Sequence, residues 1–319
     1  MPVGNTAVMH DSTDRRERVY LPFLDGMRAL AALWVLAHHL WQFAVLSGQP
    51  STPGWFRPLS VLKHGTYGVA VFLVISGYCL MLPIARRGEA RLAQGLGPFA
   101  WRRAERLLPA YFLVLIASIG LIAAVPELRQ PTGTVWDITL PSLTTGSIAS
   151  HVVLIHNWSE AWRWTINPPM WSIAMELQVY LVFAVALLPL VRRIGTRLTT
   201  AVAFVAWPVL MAAGLGFTHP WMLGLFGVGM VCAETTARGR SASQRDPALL
   251  LRAGAIGLGA VIVVEPIRDE LVAMMVGEVM VGVATAITIV VLASAVPGVR
   301  SAPGAVSRSL SWRPVRSVG

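Results

Sequence analysis

Apolar runs of membrane length, separated by short loops that carry arginine, recur along nearly the whole chain. At about 20 residues per crossing, they predict helices near 27–46, 66–84, 108–125, 169–190, 199–217, 219–236, 252–267 and 271–296. One further stretch, SIASHVVLIHN at 147–157, is apolar but about half a span long, and reads as interfacial or re-entrant. The expected fold is therefore all-α: a multi-pass transmembrane helical bundle with about eight spans. Residues 1–24 form the expected cytoplasmic N-terminal tail, 25–296 the transmembrane domain, and 297–319 a cytoplasmic segment.

Polar groups inside these runs stand out because each ionisable side chain costs about 2.5–3.5 kcal/mol at the centre of a span. The first run, DGMRALAALWVLAHHLWQFAVL, holds an arginine and two histidines. The eleven-residue step from Arg28 to His39 turns a helix about 20° past three full circles and rises about 16 Å, so the two share a face. Asp25 lies within about 60° of that line, whereas His38 points about 100° away. Arg28 also suits a topology anchor, and either histidine suits a hydrogen bond to a neighbouring helix.

Composition supports a membrane protein: 55% of the 319 residues are apolar, 13% are charged, and mean hydropathy is +0.61. A net charge of +10 would fit nucleic acid, but the basic residues sit in loops between apolar runs. Assigning alternate loops to the cytoplasm gathers most of the 26 basic residues on one side, leaving Arg57, Lys63, Arg129, Arg163 and Arg268 on the other. That bias predicts both ends cytoplasmic, in a plasma or inner membrane. Cys79 and Cys232 lie in different runs with no metal-type spacing, so neither a disulfide framework nor a metal site is expected.

Three other places carry chemistry. In the second run, Ser76 and Gly77 allow another helix or a ligand to approach closely, and Tyr78 adds a hydroxyl. Arg102, Arg103 and Arg106 stand at the cytoplasmic entrance of the third, where guanidinium forks suit phosphate. Anchoring to anionic headgroups accounts for the same cluster. In INPPMWSIAMELQVYLVF, Asn167 and the prolines start the fourth helix and place Glu176 about 12 Å below the outer boundary. His39 lies about 10 Å from its outer end, so the two depths are expected to match.

Four segments, in this order, resemble the acyltransferase 3 family of membrane O-acyltransferases. Asp25, Gly26, Arg28, Ala29 and His39 match its first-helix motif, in which ten residues separate arginine from histidine. Gly68, Val69, Phe72, Ser76, Gly77 and Tyr78 match the second, although Ala70 stands where the family has aspartate. Arg102, Arg103, Arg106, Pro109 and Tyr111 match the third, and Trp171, Ser172, Glu176, Gln178, Tyr180 and Leu181 the fourth. Members commonly have about ten spans, so the resemblance implies a truncated chain lacking the last two.

The resemblance implies transfer of an acyl group, acetyl above all, from cytoplasmic acyl-CoA to a hydroxyl of a cell-surface or secreted glycan. His39 and Glu176 are the expected catalytic residues; Arg28, Arg102, Arg103 and Arg106 are expected to hold the donor, with no metal. Trp171, Ser172 and Tyr180 are the expected acceptor contacts, in a region where Trp158, Trp162 and Trp164 also crowd. An interfacial aromatic belt accounts for those tryptophans as well. Two other readings stay open: a transporter or flippase of a lipid-linked or polyanionic solute, and an inactive partner in a biosynthetic complex.

Overall fold

Among the described residues, eleven helices, α1 (Pro22–Leu46), α2 (Thr66–Arg87), α3 (Leu96–Ala124), α4 (Thr145–Val152), α5 (Glu160–Arg163), α6 (Met170–Val182), α7 (Leu188–Ile194), α8 (Thr196–Ala212), α9 (Met222–Ala237), α10 (Pro247–Val264) and α11 (Glu270–Ser294), account for most of the structure. This computed structural model describes residues 21–46, 61–133, 135–239, 247–264, 266–294 and 296, and among them there is no strand. Each predicted apolar run is helical over most of its described residues. Thr66–Arg87, Leu96–Ala124, Met170–Ile194, Gly216–Ala237 and Glu270–Ser294 are long and apolar enough to cross a membrane. Thr196–Ala212 and Ala248–Val264 are apolar but shorter. The stretch 147–157 forms part of α4 and a short 3-10 turn, His156–Trp158. Of the expected cytoplasmic segments, 1–24 and 297–319, only Leu21–Leu24 belong to the described residues, and α1 already begins at Pro22.

Two helices differ usefully from their predicted bounds. α3 begins at Leu96 rather than near 108, because the strong helix formers Ala100, Ala104, Glu105 and Leu107 carry the helix through the arginine cluster. The arginines therefore project from a helix rather than from a loop. The fourth span runs from α6 into α7 through a wide π-type turn at Phe183–Leu187. Pro189 offers no N–H to the carbonyl of Val185 four residues earlier, and the wide turn accommodates that missing bond.

The core centres on α2, which packs against α1, α9 and α11. Its tightest neighbour is α9. A Cβ added to Gly77 would stand 2.0 Å from the carbonyl oxygen of Phe226, and one added to Gly229 would stand 2.0 Å from that of Val74. Each glycine thus receives the other helix's backbone, which is how small residues bring helices together where lipid removes the ordinary hydrophobic drive. Leu73, Val74, Ile75, Tyr78 and Met81 are almost wholly buried along α2, whereas α3 exposes Leu113, Ile116 and Leu121. Leu30, Leu33, Leu36 and Leu40 form a similar open stripe on α1, as expected of a lipid-facing flank.

A second, smaller core seats the segment between α3 and α6. Tyr111, Leu115 and Ile122 of α3 pack with Leu154, Ile166, Met170 and Ala174. The Tyr111 hydroxyl donates to the His151 carbonyl at 2.7 Å. Gln178 of α6 donates to the Leu154 carbonyl at 2.6 Å and accepts from the Trp158 indole at 2.8 Å. The loop is therefore part of the packed protein.

Candidate functional site

Polar side chains gather at two levels along α2. The first surrounds Ser76. Its hydroxyl lies 3.3 Å from the Glu176 carboxylate and 3.1 Å from the Tyr180 hydroxyl, and Tyr180 also donates to Glu176, one turn away on α6. Arg103 of α3 adds a guanidinium 5.8 Å from the centre of the Tyr180 ring. One turn further along α2, Cys79 accepts from Arg28 at 3.2 Å, and Arg28 also pairs with Asp25 at 3.1 Å. Four helices thus bring two guanidiniums, two carboxylates, two hydroxyls and a thiol to neighbouring turns. Glu176 and Arg28 are half-buried, so this level is reachable.

Helix geometry sorts the three α3 arginines. Arg102 and Arg106, four residues apart, share an outward face, where Arg102 bonds to Gln94. Arg103, turned by about 100° from Arg102, faces Phe99 and Tyr180 instead. Of the expected donor-binding arginines, Arg28 and Arg103 therefore join the Ser76 level.

His39 does not. Its half-buried imidazole is hydrogen-bonded to Gln42 and lies edge-on to His38, with ring centres 5.0 Å apart. His38 in turn bonds the Leu62 carbonyl at 2.6 Å and crowds Gly65, where an added Cβ would come within 2.2 Å of its ring. Gly65 precedes Ser76 by eleven residues, about 16 Å of helix rise. The expected match in depth between His39 and Glu176 is thus absent. Counting inward from helix ends fails because α6 starts beneath the packed loop rather than at the level where α2 starts.

The second level lies toward the N-terminal ends of α2, α9 and α11. Glu278 of α11, with no exposure, accepts from the Trp221 indole at 2.5 Å and sits 3.3 Å from Nδ1 of His219. The other ring nitrogen of His219 is 3.1 Å from Nη2 of Arg163. The guanidinium of Arg163 rests 4.1 Å from the Trp164 ring centre and 5.3 Å from that of Trp171, while His219 stacks on Trp171 at 4.7 Å. Burial pulls the Arg163 guanidinium down to about 10, with Glu160 and Glu278 opposing, so it stays charged at neutral pH.

The expected acceptor contacts divide accordingly. Trp171 is 7% exposed, its ring engaged by His219 and Arg163, whereas Trp158 and Trp162 are 49% and 36% exposed. Ser172 donates to the Pro169 carbonyl at 3.0 Å within the first turn of α6. Tyr180 belongs to the Ser76 level. A cavity of about 520 Å³ between α1, α2, α10 and α11 is lined by Leu30, Trp34, Gly68, Gly254 and Gly257, and by none of the expected site residues.

Sequence reasoning missed Arg163, His219 and Glu278. An acid within the last apolar run was a visible signal, since intramembrane carboxylates are rare and usually paired. It also missed the stacked His151 and His156, both fully buried with ring centres 3.8 Å apart. Burial lowers both imidazoles, His156 to about 3, helped by the neighbouring ring. Among the described residues, no group of three or more metal-ligating side chains is present.

Comparisons with known proteins agree with the motifs now placed on these helices. A family model described as an acyltransferase domain matches residues 21–311. The chain is similar to peptidoglycan O-acetyltransferase OatA of Listeria monocytogenes, 30% identical over 186 residues, 55% of this chain and 25% of that protein. It is equally similar to acyltransferase MdmB of Streptomyces mycarofaciens, 30% identical over 183 residues, 56% of this chain and 42% of that one. The matched region thus spans less than half the length of either relative. No solved structure matches. With its motifs, its apolar helices and a match along nearly its whole length, the chain belongs to the acyltransferase 3 family.

Proposed function

We propose that this protein is a membrane O-acyltransferase that moves an acyl group, acetyl in the first instance, from cytoplasmic acyl-CoA to a hydroxyl of a cell-surface or secreted glycan. The observation that carries this reading is the convergence of Arg28, Arg103, Ser76, Glu176 and Tyr180 from four helices of an acyltransferase 3 chain. Guanidiniums suit the phosphates of CoA, and Arg102 and Arg106 on the outward face of α3 extend that positive surface. With both chain ends cytoplasmic, this level lies nearer the donor side.

His39, about 16 Å further along α1 than Arg28, serves the acceptor. Its imidazole takes the proton of the acceptor hydroxyl as that oxygen attacks the thioester carbonyl; the C–S bond breaks, and the CoA thiolate recovers the proton. Histidine is the side chain that most often fills this role. Glu176, held by Ser76 and Tyr180, acts on the donor rather than on His39. Trp158 and Trp162 offer the exposed aromatic faces for a sugar ring, with Trp171 and Ser172 shaping the start of α6 behind them.

The test uses membranes containing the full-length gene product, labelled acetyl-CoA, and surface polysaccharide or peptidoglycan as acceptor. Label should enter the polymer with the wild type and fall at least about tenfold with His39→Ala. Equal labelling with both would remove His39 from the mechanism, and no labelling with the wild type would overturn the donor or the acceptor.

A further inference from the structure

Arg163, His219 and Glu278 come from three separate places in the chain, a four-residue helix in the outer loop, the turn before α9 and the interior of α11, yet they meet with exposures of 6%, 2% and 0%. Burying an ion pair costs several kcal/mol per charge, and apolar side chains of similar size would generally hold the helices as well or better. Simple cohesion therefore does not account for the arrangement.

Its bonding has a direction. A guanidinium only donates, so the His219 nitrogen facing Arg163 accepts, and the opposite nitrogen carries the proton toward Glu278. The imidazole thus relays between a cation and an anion that do not touch each other. His219 takes up the left-handed backbone, φ 52°, which is strained for a non-glycine residue, at the turn that delivers its ring into this position. The same ring stacks on Trp171, in the first turn of α6, with Arg163 packed against that indole as well. Glu176 follows Trp171 by five residues, about 7.5 Å down the same helix.

We propose that Arg163, His219 and Glu278 are positioning residues: a buried donor–acceptor relay that seats the outer end of α6 and its preceding loop, and so sets the acceptor entrance. The role in acceptor entry rests on the acyl-transfer reading; the seating of α6 does not. Two substitutions separate a relay from plain packing. His219→Gln keeps one donor and one acceptor, whereas His219→Phe keeps a flat ring against Trp171 and has neither.

The purified full chain in detergent would be followed by hydrogen exchange across residues 159–173, and by acetyl transfer from acetyl-CoA to soluble peptidoglycan strands. A relay requires faster exchange in that segment for His219→Phe, with the acceptor KM raised at least about fivefold and kcat within about twofold, and recovery of most of both losses by His219→Gln. Unchanged exchange in His219→Phe, or His219→Gln behaving no better than His219→Phe, would overturn the proposal. A wild type that folds but transfers nothing would overturn the acyl-transfer reading together with the acceptor role, and the exchange pattern alone would then decide whether the relay seats α6.

Discussion

The two polar levels of this bundle differ in how they balance charge. Around Ser76, the charged groups Arg28, Arg103 and Glu176 are half-buried and loosely paired: Arg28 leans on Asp25 and a thiol, and Glu176 on two buried hydroxyls. Around Glu278 every partner is sealed, and the positive and negative ends are joined through one imidazole. A reachable level can exchange partners with a ligand. A sealed level cannot do so without unfolding its surroundings, so its influence is exerted through shape.

The sharpest contrast should come from Glu278→Ala, which strands His219 and Arg163 in the interior. Its cost should be about 3–5 kcal/mol, seen as a large fall in thermal unfolding temperature in detergent. Replacing the whole set, Arg163→Met with His219→Phe and Glu278→Leu, should cost less than Glu278→Ala alone. The reverse order would show that the sealed level contributes to stability as a unit.

Glu176→Gln should do the opposite: a stability change of about 1 kcal/mol, typical of altering one hydrogen-bonded group, with acetyl transfer reduced at least about tenfold. Full activity in that variant would leave the reachable level without a chemical role.

Acid supplies a third probe. An unfolded histidine binds its proton near pH 6.5, whereas burial holds His156 down to about 3 and lowers His151 as well. Below pH 6.5 the unfolded chain therefore takes up protons that the folded chain refuses, and stability falls as pH drops from 6.5 toward 3. Unfolding temperature measured between pH 7 and 4 should decline, with less decline in a His156→Phe variant. The smallest effect belongs to Arg102→Gln, on the outward face of α3, at no more than about 0.5 kcal/mol in stability. Its loss of donor affinity should be smaller than that of Arg103→Gln, measured as KM for acetyl-CoA.

The reachable level was legible because its residues fall in short motifs on long apolar helices. Ser76, Glu176 and Tyr180 each lie within a single run whose helical character is set by length and hydropathy, and Arg103 lies at the entrance of another. The close approach expected at Gly77 is likewise present, with α9 as the partner. The sealed level was not legible, because Arg163, His219 and Glu278 are separated by loops whose paths depend on tertiary packing. His39 illustrates the middle case. Its place on α1 followed from periodicity, but its depth relative to Glu176 depended on where α6 begins, and the folded loop above Met170 decides that.

The reciprocal seating of Gly77 and Gly229 has a mechanical consequence. With each helix resting on the other's carbonyls, α2 and α9 cannot slide by a turn or roll without collision, and so act as a fixed spine. Any rocking of the bundle must therefore be carried by the helices around it, among them α1, α3 and α6, on which His39, Arg103 and Glu176 stand.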